Sequence, residues 1–443
     1  MSFKRKKRIL PSEPVRVTID ALTHDGRGIA RVEGKPVFIH GALPGEDLSF
    51  VYTGVRRDYA EGKVDALHAA VPGRVEPRCP SYGVCGGCSF QHVADATQID
   101  LKQALLVEQF KRIAKLEEVL LLPPLTGPSW GYRHKARLGV KYVAKKGRVL
   151  VGFRERSSPF VADLEFCPVL HPQVGERLHE LSELIGTLSI RERLPQIEVA
   201  VGDDRAALVF RILEDMTDAD GERLCEFGQK FGFDIYVQRH GPDSVTPVFP
   251  EQPALLGYAL PEEGVEFRFK PTDFTQVNIE INRKMVRRVM ELLDPQPGDR
   301  ILDLFCGIGN FTLPLATRAG EVVGIEGGRE AVERAAENAA LAGLSHVEFH
   351  VADLTQPLAG QSWAEGRYDK ILLDPSRAGA EEALAGIPHW GAGRIVYVSC
   401  NPSTLARDTG ILVHEHGYRL VTAGVMDMFP QTAHVESIAL FEK

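Results

Sequence analysis

Cys400 is the residue of this chain whose type and surroundings most directly indicate chemistry. An apolar run at 395–398 precedes it, and Asn401 and Pro402 follow. Because proline has no backbone N–H, this run cannot continue as a central strand. Ligands of parallel α/β sheets bind outside the carboxyl ends of the strands, and a thiolate is a strong nucleophile. The sequence therefore indicates either a nucleophile at a sheet edge or a packing cysteine, since free cysteines are often buried.

A glycine-containing segment, DLFCGIGN at 303–310, follows a second apolar run and precedes a predicted helix. Glycines allow a tight turn and close approach of the backbone to a ligand. Glu326 lies nineteen residues after Gly307, at the end of the next predicted strand, where an acid can hold ribose hydroxyls. A dinucleotide fingerprint would need a glycine at 312, where this chain has Thr. The pattern therefore favours a nucleoside with a compact charged tail over a pyrophosphate.

Acidic residues are predicted at the ends of successive strands of one sheet. They are Asp303, Glu326, Asp353 and Asp374. An edge rich in carboxylates disfavours phosphate and favours a cation, and S-adenosylmethionine has both a sulfonium and an ammonium group. For each acid taken singly, a helix cap or a solvated loop residue remains the alternative.

The apolar pattern predicts an α/β protein with three domains along its 443 residues. From 271 to 443, strands alternate with helices and end in late antiparallel strands, which is typical of a doubly wound, Rossmann-like domain. Five short strands predict an OB-like barrel within 12–70. Residues 74–270 are predicted to form an α+β middle domain, with a helix at about 97–119 that packs on the catalytic domain.

Charge is unevenly distributed along the chain, whose net charge is −8. Residues 291–443 carry 21 acidic and 11 basic residues, which leaves a net +2 on the first 290. The segment 130–156 holds nine Lys and Arg against one acid, Glu155. Local basic clusters favour contact with nucleic-acid phosphates, and a solvated charged hairpin is the alternative.

The sequence also bears on location. No apolar run reaches the ~18 residues needed to span a bilayer. The basic segment 1–10 has no apolar stretch behind it, so it does not resemble a secretory signal. These features predict a cytoplasmic protein without a membrane partner. No sequence feature indicates an obligate protein partner, and a monomer is expected.

The seven cysteines are unevenly spaced. Cys79, Cys85 and Cys88 cluster, with five and two residues between them, and Cys167 follows much later. Without a secretion signal, metal binding or catalysis is expected rather than disulfides. Four thiolates suit either zinc or an iron–sulfur cluster, and spacing alone leaves both open.

Several motifs together resemble one family, the RNA uracil-C5 methyltransferases. They are DLFCGIGNFTLPLA at 303–316, ILLDPSRAG at 371–379, VSCNPSTLARD at 398–408 and HVESIALFEK at 434–443. The N-terminal barrel resembles a TRAM domain, and the cysteine pattern is similar to that of the branch that acts on 23S ribosomal RNA. The resemblance runs from about residue 12 to the end of the chain.

The resemblance implies S-adenosylmethionine-dependent methylation of a uridine in 23S ribosomal RNA. It implies Cys400 as the nucleophile that adds to uracil C6 and Glu436 as the base that removes the C5 proton. It implies a [4Fe–4S] cluster on Cys79, Cys85, Cys88 and Cys167. It also implies cofactor contacts from Gln276, Phe305, Asn310, Glu326, Asp353 and Asp374.

Two alternatives remain at this stage. The same chemistry could act on another 23S or transfer-RNA uridine, although the resemblance disfavours transfer RNA because such relatives generally lack the barrel and the cysteine cluster. The chain could instead be a non-enzymatic RNA-binding protein stabilised by a metal. Because a duplex hides uracil C5 and C6, the target must be single-stranded or flipped out, and Phe274 is a candidate for stacking on it.

Overall fold

The computed structural model describes residues 10–356, 358 and 360–443, without the side chain of Pro242. The chain divides into two compact units. Unit 1 comprises the chain up to Leu101, with Glu155–Ser157 and Pro430–His434; unit 2 comprises Lys102–Arg154, Ser158–Phe429 and Val435–Lys443. Within the described residues, no helix is both long and apolar enough to cross a membrane.

Unit 1 contains a six-stranded sheet in the order β1-β5-β6-β4-β3-β2. The first run predicted as a strand bends at Ile19 and Asp20, so six strands replace the predicted five. The Ile19 N–H donates to the Glu46 carbonyl and the Asp20 N–H to the Ile29 carbonyl, which brings the two edges of the sheet together. The strands are β1 (Val15–Thr18), β2 (Ala21–Leu22), β3 (Gly28–Val32), β4 (Lys35–His40), β5 (Asp47–Val55) and β6 (Ala60–Ala69).

After the barrel, the chain passes through a series of tight turns at 74–94 and then forms helix α1 (Asp95–Gln109). A π-helical turn, Phe110–Ala114, continues it, and Lys115 ends the turn in the left-handed conformation with φ 59°. The helix predicted over 97–119 therefore ends at Ala114.

The middle segment of unit 2 forms a second six-stranded sheet in the order β12-β11-β10-β9-β7-β8. Its strands are β7 (Lys135–Val143), β8 (Arg148–Gly152), β9 (Gln196–Val201), β10 (Ala206–Arg211), β11 (Phe233–Gln238) and β12 (Val245–Phe249). Its helices are α2 (Pro172–Gly175), α3 (Leu178–Thr187) and α4 (Asp218–Phe231). A hairpin of β13 (Leu256–Leu260) and β14 (Val265–Phe269) follows.

The C-terminal segment confirms the predicted doubly wound domain. Its seven-stranded sheet has the order β17-β16-β15-β18-β19-β21-β20, parallel except that β21 is antiparallel to both neighbours. The strands are β15 (Arg300–Leu304), β16 (Glu321–Glu326), β17 (Val347–Val351), β18 (Lys370–Leu373), β19 (Arg394–Ser399), β20 (Arg419–Met426) and β21 (Glu436–Glu442). All seven predicted strands are present.

Helices cover both faces of this sheet. One face packs on α5 (Ile279–Leu293), α6 (Thr312–Ala316) and α7 (Arg329–Leu341). The other packs on α8 (Glu381–Leu384), α9 (Ile387–Trp390), α10 (Pro402–His414) and the Phe110–Ala114 turn. Because both faces are buried, the strands are nearly continuous apolar runs, which is why their positions could be predicted.

Candidate active site

The strand order of the C-terminal sheet creates a crevice beside β15. This strand lies between β16 and β18, and the chain winds outward from it in opposite directions on its two sides. In such sheets the ligand site lies outside the carboxyl ends of the strands at this switch point. The predicted site residues on β15, β16, β18 and β19 all lie at or near this edge.

The glycine-containing loop leaves β15 in an unusual conformation. Phe305 has φ 68°, in the left-handed region that non-glycine residues seldom adopt. Its N–H and that of Cys306 both donate to the Ile325 carbonyl, at 2.9 and 3.0 Å. A β-carbon built on Gly307 would meet no described atom within 4 Å. The loop is therefore held against β16 while its backbone at Gly307 faces open space.

Glu326 is bonded to this loop by its carboxylate. One oxygen accepts the Gly307 N–H at 3.2 Å, and the other accepts the Gly328 N–H at 3.0 Å. The side chain thus joins the loop after β15 to the loop after β16, and the half-buried carboxylate lies beside the open face of Gly307.

The expectation that Asp303 lies at a strand tip is wrong. It lies within β15 and is fully buried, and one carboxylate oxygen accepts the Thr312 hydroxyl at 2.5 Å. Burial, with a further contribution from Glu326, raises the pKa of Asp303 to about 7. The Thr that replaces the third glycine of a dinucleotide fingerprint therefore has a structural role, because it anchors α6 to β15.

Asp353 follows β17 on the exposed surface. Its carboxylate accepts the Thr355 N–H at 3.0 Å and the Thr355 hydroxyl at 2.7 Å. These hydrogen bonds lower the pKa of Asp353. The residue is therefore ionised and oriented by its own turn, in agreement with an acceptor at this end of the sheet.

Asn310 takes part in a hydrogen-bond network. Its carbonyl accepts from Tyr258 Oη at 2.8 Å and from Asn282 Nδ2 at 2.9 Å, and its Nδ2 donates to Asn282 Oδ1 at 2.9 Å. These contacts leave one amide hydrogen of Asn310 for a cofactor. Tyr258 and Asn282 were not identified from the sequence, because no motif links them to the glycine loop.

Gln276 and Phe274 lie on the loop between β14 and α5. Gln276 is half-buried, whereas the Phe274 side chain is 73% exposed, so Phe274 is not a core aromatic. The Lys135 ammonium donates to the carbonyls of Pro271 at 2.6 Å and Asp273 at 2.8 Å. The loop that carries both residues is therefore fixed at its base by a lysine from β7.

The loop has two further attachments. The His134 N–H donates to the Val277 carbonyl at 2.8 Å. The Asp273 carboxylate pairs with the largely buried Arg334 of α7 at 3.2 Å. The Lys135 ammonium, which holds the base of the same loop, has its pKa lowered by burial to about 8.

Antiparallel pairing brings Cys400 and Glu436 together. Ser399, the last residue of β19, pairs with Ser437 of β21, so Cys400 and Glu436, the residues next to that pair, lie at the same end of the two strands. Asp374 follows β18, the other neighbour of β19, at the same edge. The Asn401 side chain accepts the Ser403 N–H at 3.1 Å and caps α10, so Asn401 and Pro402 both end the strand and begin a helix.

Acidic neighbours and burial oppose ionisation of Cys400 and Asp374 at the carboxyl ends of these strands. Burial, then Glu436 and Asp374, raises the pKa of the Cys400 thiol to about 11, and Arg377 partly offsets them. Burial, then Glu436, Asp303 and Glu326, raises the pKa of Asp374 well above its usual range. A bound cation would reverse part of this effect, since a positive charge favours the thiolate and the carboxylate.

Most cations of the basic segment 130–156 have partners within the protein. Lys146 and Arg148 pair with Asp163, and Arg137 pairs with Glu198. Arg154 donates to the Pro159 carbonyl, and within unit 1 Arg156 donates to the Cys88 carbonyl. The clustering of charge in the sequence therefore overstates the charge available to an RNA backbone.

The three clustered cysteines lie in unit 1 and are half-buried, whereas Cys167 lies in unit 2 and is buried. None of the seven cysteines is in a disulfide. The Gly87 N–H donates to the Cys85 sulfur at 3.4 Å. Over the described ranges, however, no group of three or more His, Cys, Asp or Glu side chains is arranged to hold a metal ion.

The chain thus has a small N-terminal β-barrel and a C-terminal Rossmann-like domain with acidic residues and a cysteine at the carboxyl ends of its strands. A family model described as tRNA (Uracil-5-)-methyltransferase matches residues 258–443, and a TRAM domain model matches residues 12–64. The chain is 61% identical over 443 residues to the 23S rRNA (uracil(1939)-C(5))-methyltransferase RlmD of Methylococcus capsulatus, covering 100% of both chains. It is 55% identical over 439 residues to that of Alkalilimnicola ehrlichii, covering 99% of both. The chain belongs to the RNA uracil-C5 methyltransferase family.

A solved relative has the same architecture. The crystal structure of Pyrococcus abyssi tRNA (uracil-54, C5)-methyltransferase in complex with S-adenosyl-L-homocysteine matches with a TM-score of 0.72 and 26% identity, covering 96% of this chain and 99% of that one. A match of that length includes the barrel. A transfer-RNA enzyme therefore shares the barrel, and the presence of a barrel does not exclude a transfer-RNA target.

The raised pKa of Cys400 predicts how its alkylation depends on pH. In the cofactor-free protein, iodoacetamide should modify Cys400 slowly at pH 8 and increasingly fast toward pH 11, because only the thiolate reacts. Glu436→Gln removes a neighbouring anion, lowers the thiol pKa and should accelerate the reaction several-fold at pH 8. The rate is measured by mass spectrometry of the Cys400 peptide. Glu348→Gln, on the exposed surface of β17, is the control, and equal rates in all three proteins would contradict the prediction.

Proposed function

We propose that this protein transfers a methyl group from S-adenosylmethionine to C5 of uridine 1939 in 23S ribosomal RNA. The 61% identity over the full length of a relative with that activity is the observation that carries the substrate assignment. The β19–β21 register, which places Cys400 and Glu436 at the same end of the two strands, supports the chemistry. A cytoplasmic location and a monomeric state stay predictions.

The proposed roles follow from the chemistry of uracil. C5 alone is a poor nucleophile. Addition of the Cys400 sulfur to C6 places the displaced π electrons on C5 and O4, so that C5 can take the methyl group. Glu436 then accepts the C5 proton, the C5–H electron pair forms the C5–C6 double bond, and the C6–S bond breaks with its electrons returning to Cys400. Substrate-free Cys400 is protonated at neutral pH, so its proton must leave before or during addition.

The cofactor residues fit a cationic nucleoside. S-adenosylmethionine, when bound, supplies an electrophilic methyl group on a positively charged sulfur. The open backbone at Gly307 and the carboxylate of Glu326 would hold the ribose. Asp353 would bind the adenine. Phe305 and Asn310 would contact the cofactor from the loop that follows β15. Gln276 and Asp374 would face the charged tail. The sulfonium would offset the acidic field that opposes ionisation of Cys400.

The RNA contacts are proposed for the TRAM barrel at 12–70 and the middle domain at 74–270, with 271–443 as the catalytic domain. Exposed Phe274 is positioned on the same loop as Gln276 and offers a stacking surface for an unpaired base. Lys141, exposed on β7, is one cation of the basic segment that points to solvent.

Substitution of the two catalytic candidates should separate the steps. Cys400→Ala should abolish methyl transfer and adduct formation with 5-fluorouridine RNA while cofactor binding persists. Glu436→Gln should slow product release by ~10²–10⁴-fold, so that methylated RNA remains covalently attached. Radiolabelled methyl transfer and denaturing gels measure both effects, with Cys225→Ala as the control. Full activity of Cys400→Ala, or RNA binding without any methylation by the wild type, would exclude the proposal.

The target can be tested independently of the mechanism. Mapping of 5-methyluridine in 23S ribosomal RNA from cells lacking the gene should show loss at position 1939 and retention elsewhere. Loss at another ribosomal position or in transfer RNA would keep the chemistry and replace the substrate.

Lys135 should support cofactor binding through the loop it anchors. Lys135→Met removes both hydrogen bonds to the 271–273 carbonyls, so the KM for S-adenosylmethionine should rise about tenfold while kcat changes little. Lys230→Met, at an exposed lysine near the end of α4, is the control. An unchanged KM in Lys135→Met would show that the loop keeps its position without this lysine.

We also propose that Cys79, Cys85, Cys88 and Cys167 bind a [4Fe–4S] cluster, whose chemical contribution when bound would be to cross-link the chain. The sequence resemblance and the N–H bond to the Cys85 sulfur support this assignment. Anaerobically purified protein should absorb broadly near the blue and contain iron, and Cys85→Ser should lose both signals while Cys225→Ser retains them. A colourless wild-type protein that contains zinc would replace the iron–sulfur assignment.

A further inference from the structure

Lys102 is buried in a position where lysine is rarely found. Its side chain is 1% exposed, on helix α1. The ammonium donates to Asp427 Oδ1 at 2.6 Å and to the Phe429 carbonyl at 3.1 Å. Fully buried lysines are exceptional, and they occur almost only when they are paired.

The ion pair lies where the proposed base is held. Met426, the last residue of β20, pairs with Glu436, the first residue of β21, and Asp427 comes directly after Met426. The Asp427 N–H is bonded to the Leu125 carbonyl at 2.8 Å, so its backbone is fixed as well. Lys102 is therefore attached at two points to the segment that leaves the sheet beside Glu436.

The charges of the site show what this cation adds. Asp374, Asp303, Glu326 and Glu436 act together to disfavour further negative charge. Burial lowers the pKa of Lys102, whereas the carboxylates of Asp427 and Glu436 raise it. Glu436 and Lys102 thus lie within electrostatic range of each other.

Stability alone is a weak reason for such a pair. Taking two charges out of water is costly, and apolar residues of similar volume often replace a buried ion pair with no loss of stability. The cost is better explained by a benefit to function.

We propose that Lys102, held by Asp427, is a positioning residue for Glu436 in the proton-removal step. It fixes the segment that follows β20, whose last residue pairs with Glu436, and supplies a buried positive charge within electrostatic range of the carboxylate that must be ionised when the C5 proton is transferred. The proposal rests on the proposed function, because it assigns Lys102 a part in that same reaction.

The step affected is the last one. The C5 proton passes to the Glu436 carboxylate, the C5–H electron pair forms the C5–C6 double bond, and the C6–S electron pair returns to Cys400. Without the charge and anchor of Lys102, this transfer slows, while addition of Cys400 and methylation of C5 proceed. The methylated covalent adduct should then accumulate, which a purely structural role would not produce.

The test uses Lys102→Met/Asp427→Leu in the full-length protein, with Lys111→Met as the matched control. Lys111 lies on the helical turn after α1 and pairs with the exposed Glu117. RNA with tritium at uridine C5 reports proton release, denaturing gels report the adduct, and thermal unfolding reports the fold. The double variant should unfold near the wild-type temperature, complete the first methyl transfer, and release tritium at least about tenfold more slowly with adduct accumulation.

Wild-type tritium release without adduct in the folded double variant would overturn the proposal, as would equal slowing in Lys111→Met. If the double variant does not fold, Lys102→Gln/Asp427→Asn removes the charge and keeps a donor opposite an acceptor, and wild-type tritium release in this variant would overturn the electrostatic part of the proposal. Trapping of wild-type enzyme by 5-fluorouridine RNA is measured first. Its failure would refute the proposed function itself, whereas successful trapping with normal release in the variants would refute the role of Lys102 alone.

Discussion

The antiparallel insertion of β21 between β19 and β20 is the constraint on which the rest of the site depends. In an all-parallel sheet, Cys400 would have only other strand ends beside it. Because β21 runs in the opposite direction, its first residue, Glu436, lies at the carboxyl end of β19, which Cys400 directly follows. Main-chain hydrogen bonds between β19 and β21 thus hold Glu436 at the end of the sheet where Cys400 lies.

The charge at the carboxyl ends of these strands determines which ligands and which ionisation states are favoured there. Carboxylates gathered in a low-dielectric environment favour a cationic ligand and oppose formation of a thiolate. Cys400 is therefore poorly ionised in the absence of a cationic ligand. Arg377 lowers the pKa of Cys400, and the buried Lys102 interacts electrostatically with Asp427 and Glu436. Under the proposed function, binding of the sulfonium and ionisation of Cys400 would therefore be coupled through electrostatics.

The loop between β14 and α5 illustrates how a second part of the chain supports the catalytic domain. Lys135 belongs to the basic segment, yet its ammonium donates hydrogen bonds to two backbone carbonyls of this loop. Asp273 is held by Arg334 on the other side. The middle sheet thus contributes rigidity to the place where Gln276 and Phe274 are presented.

Much of this could be predicted from the chain alone. The seven strands of the C-terminal sheet are apolar because both faces are buried, and the residues at their ends, Glu326, Asp374 and Cys400, follow directly from that pattern. Asp303 was misplaced because periodicity cannot distinguish the last residues of a strand from the first residues of its loop. Lys102, on the apolar side of α1 with Leu105 and Leu106, carried a signal as a charge among apolar residues, but its partner Asp427 lies 325 residues away. Sequence order determined which residues end each strand. Only the tertiary structure decided which ends meet and which cations are already paired, because those contacts join segments that are distant in the chain.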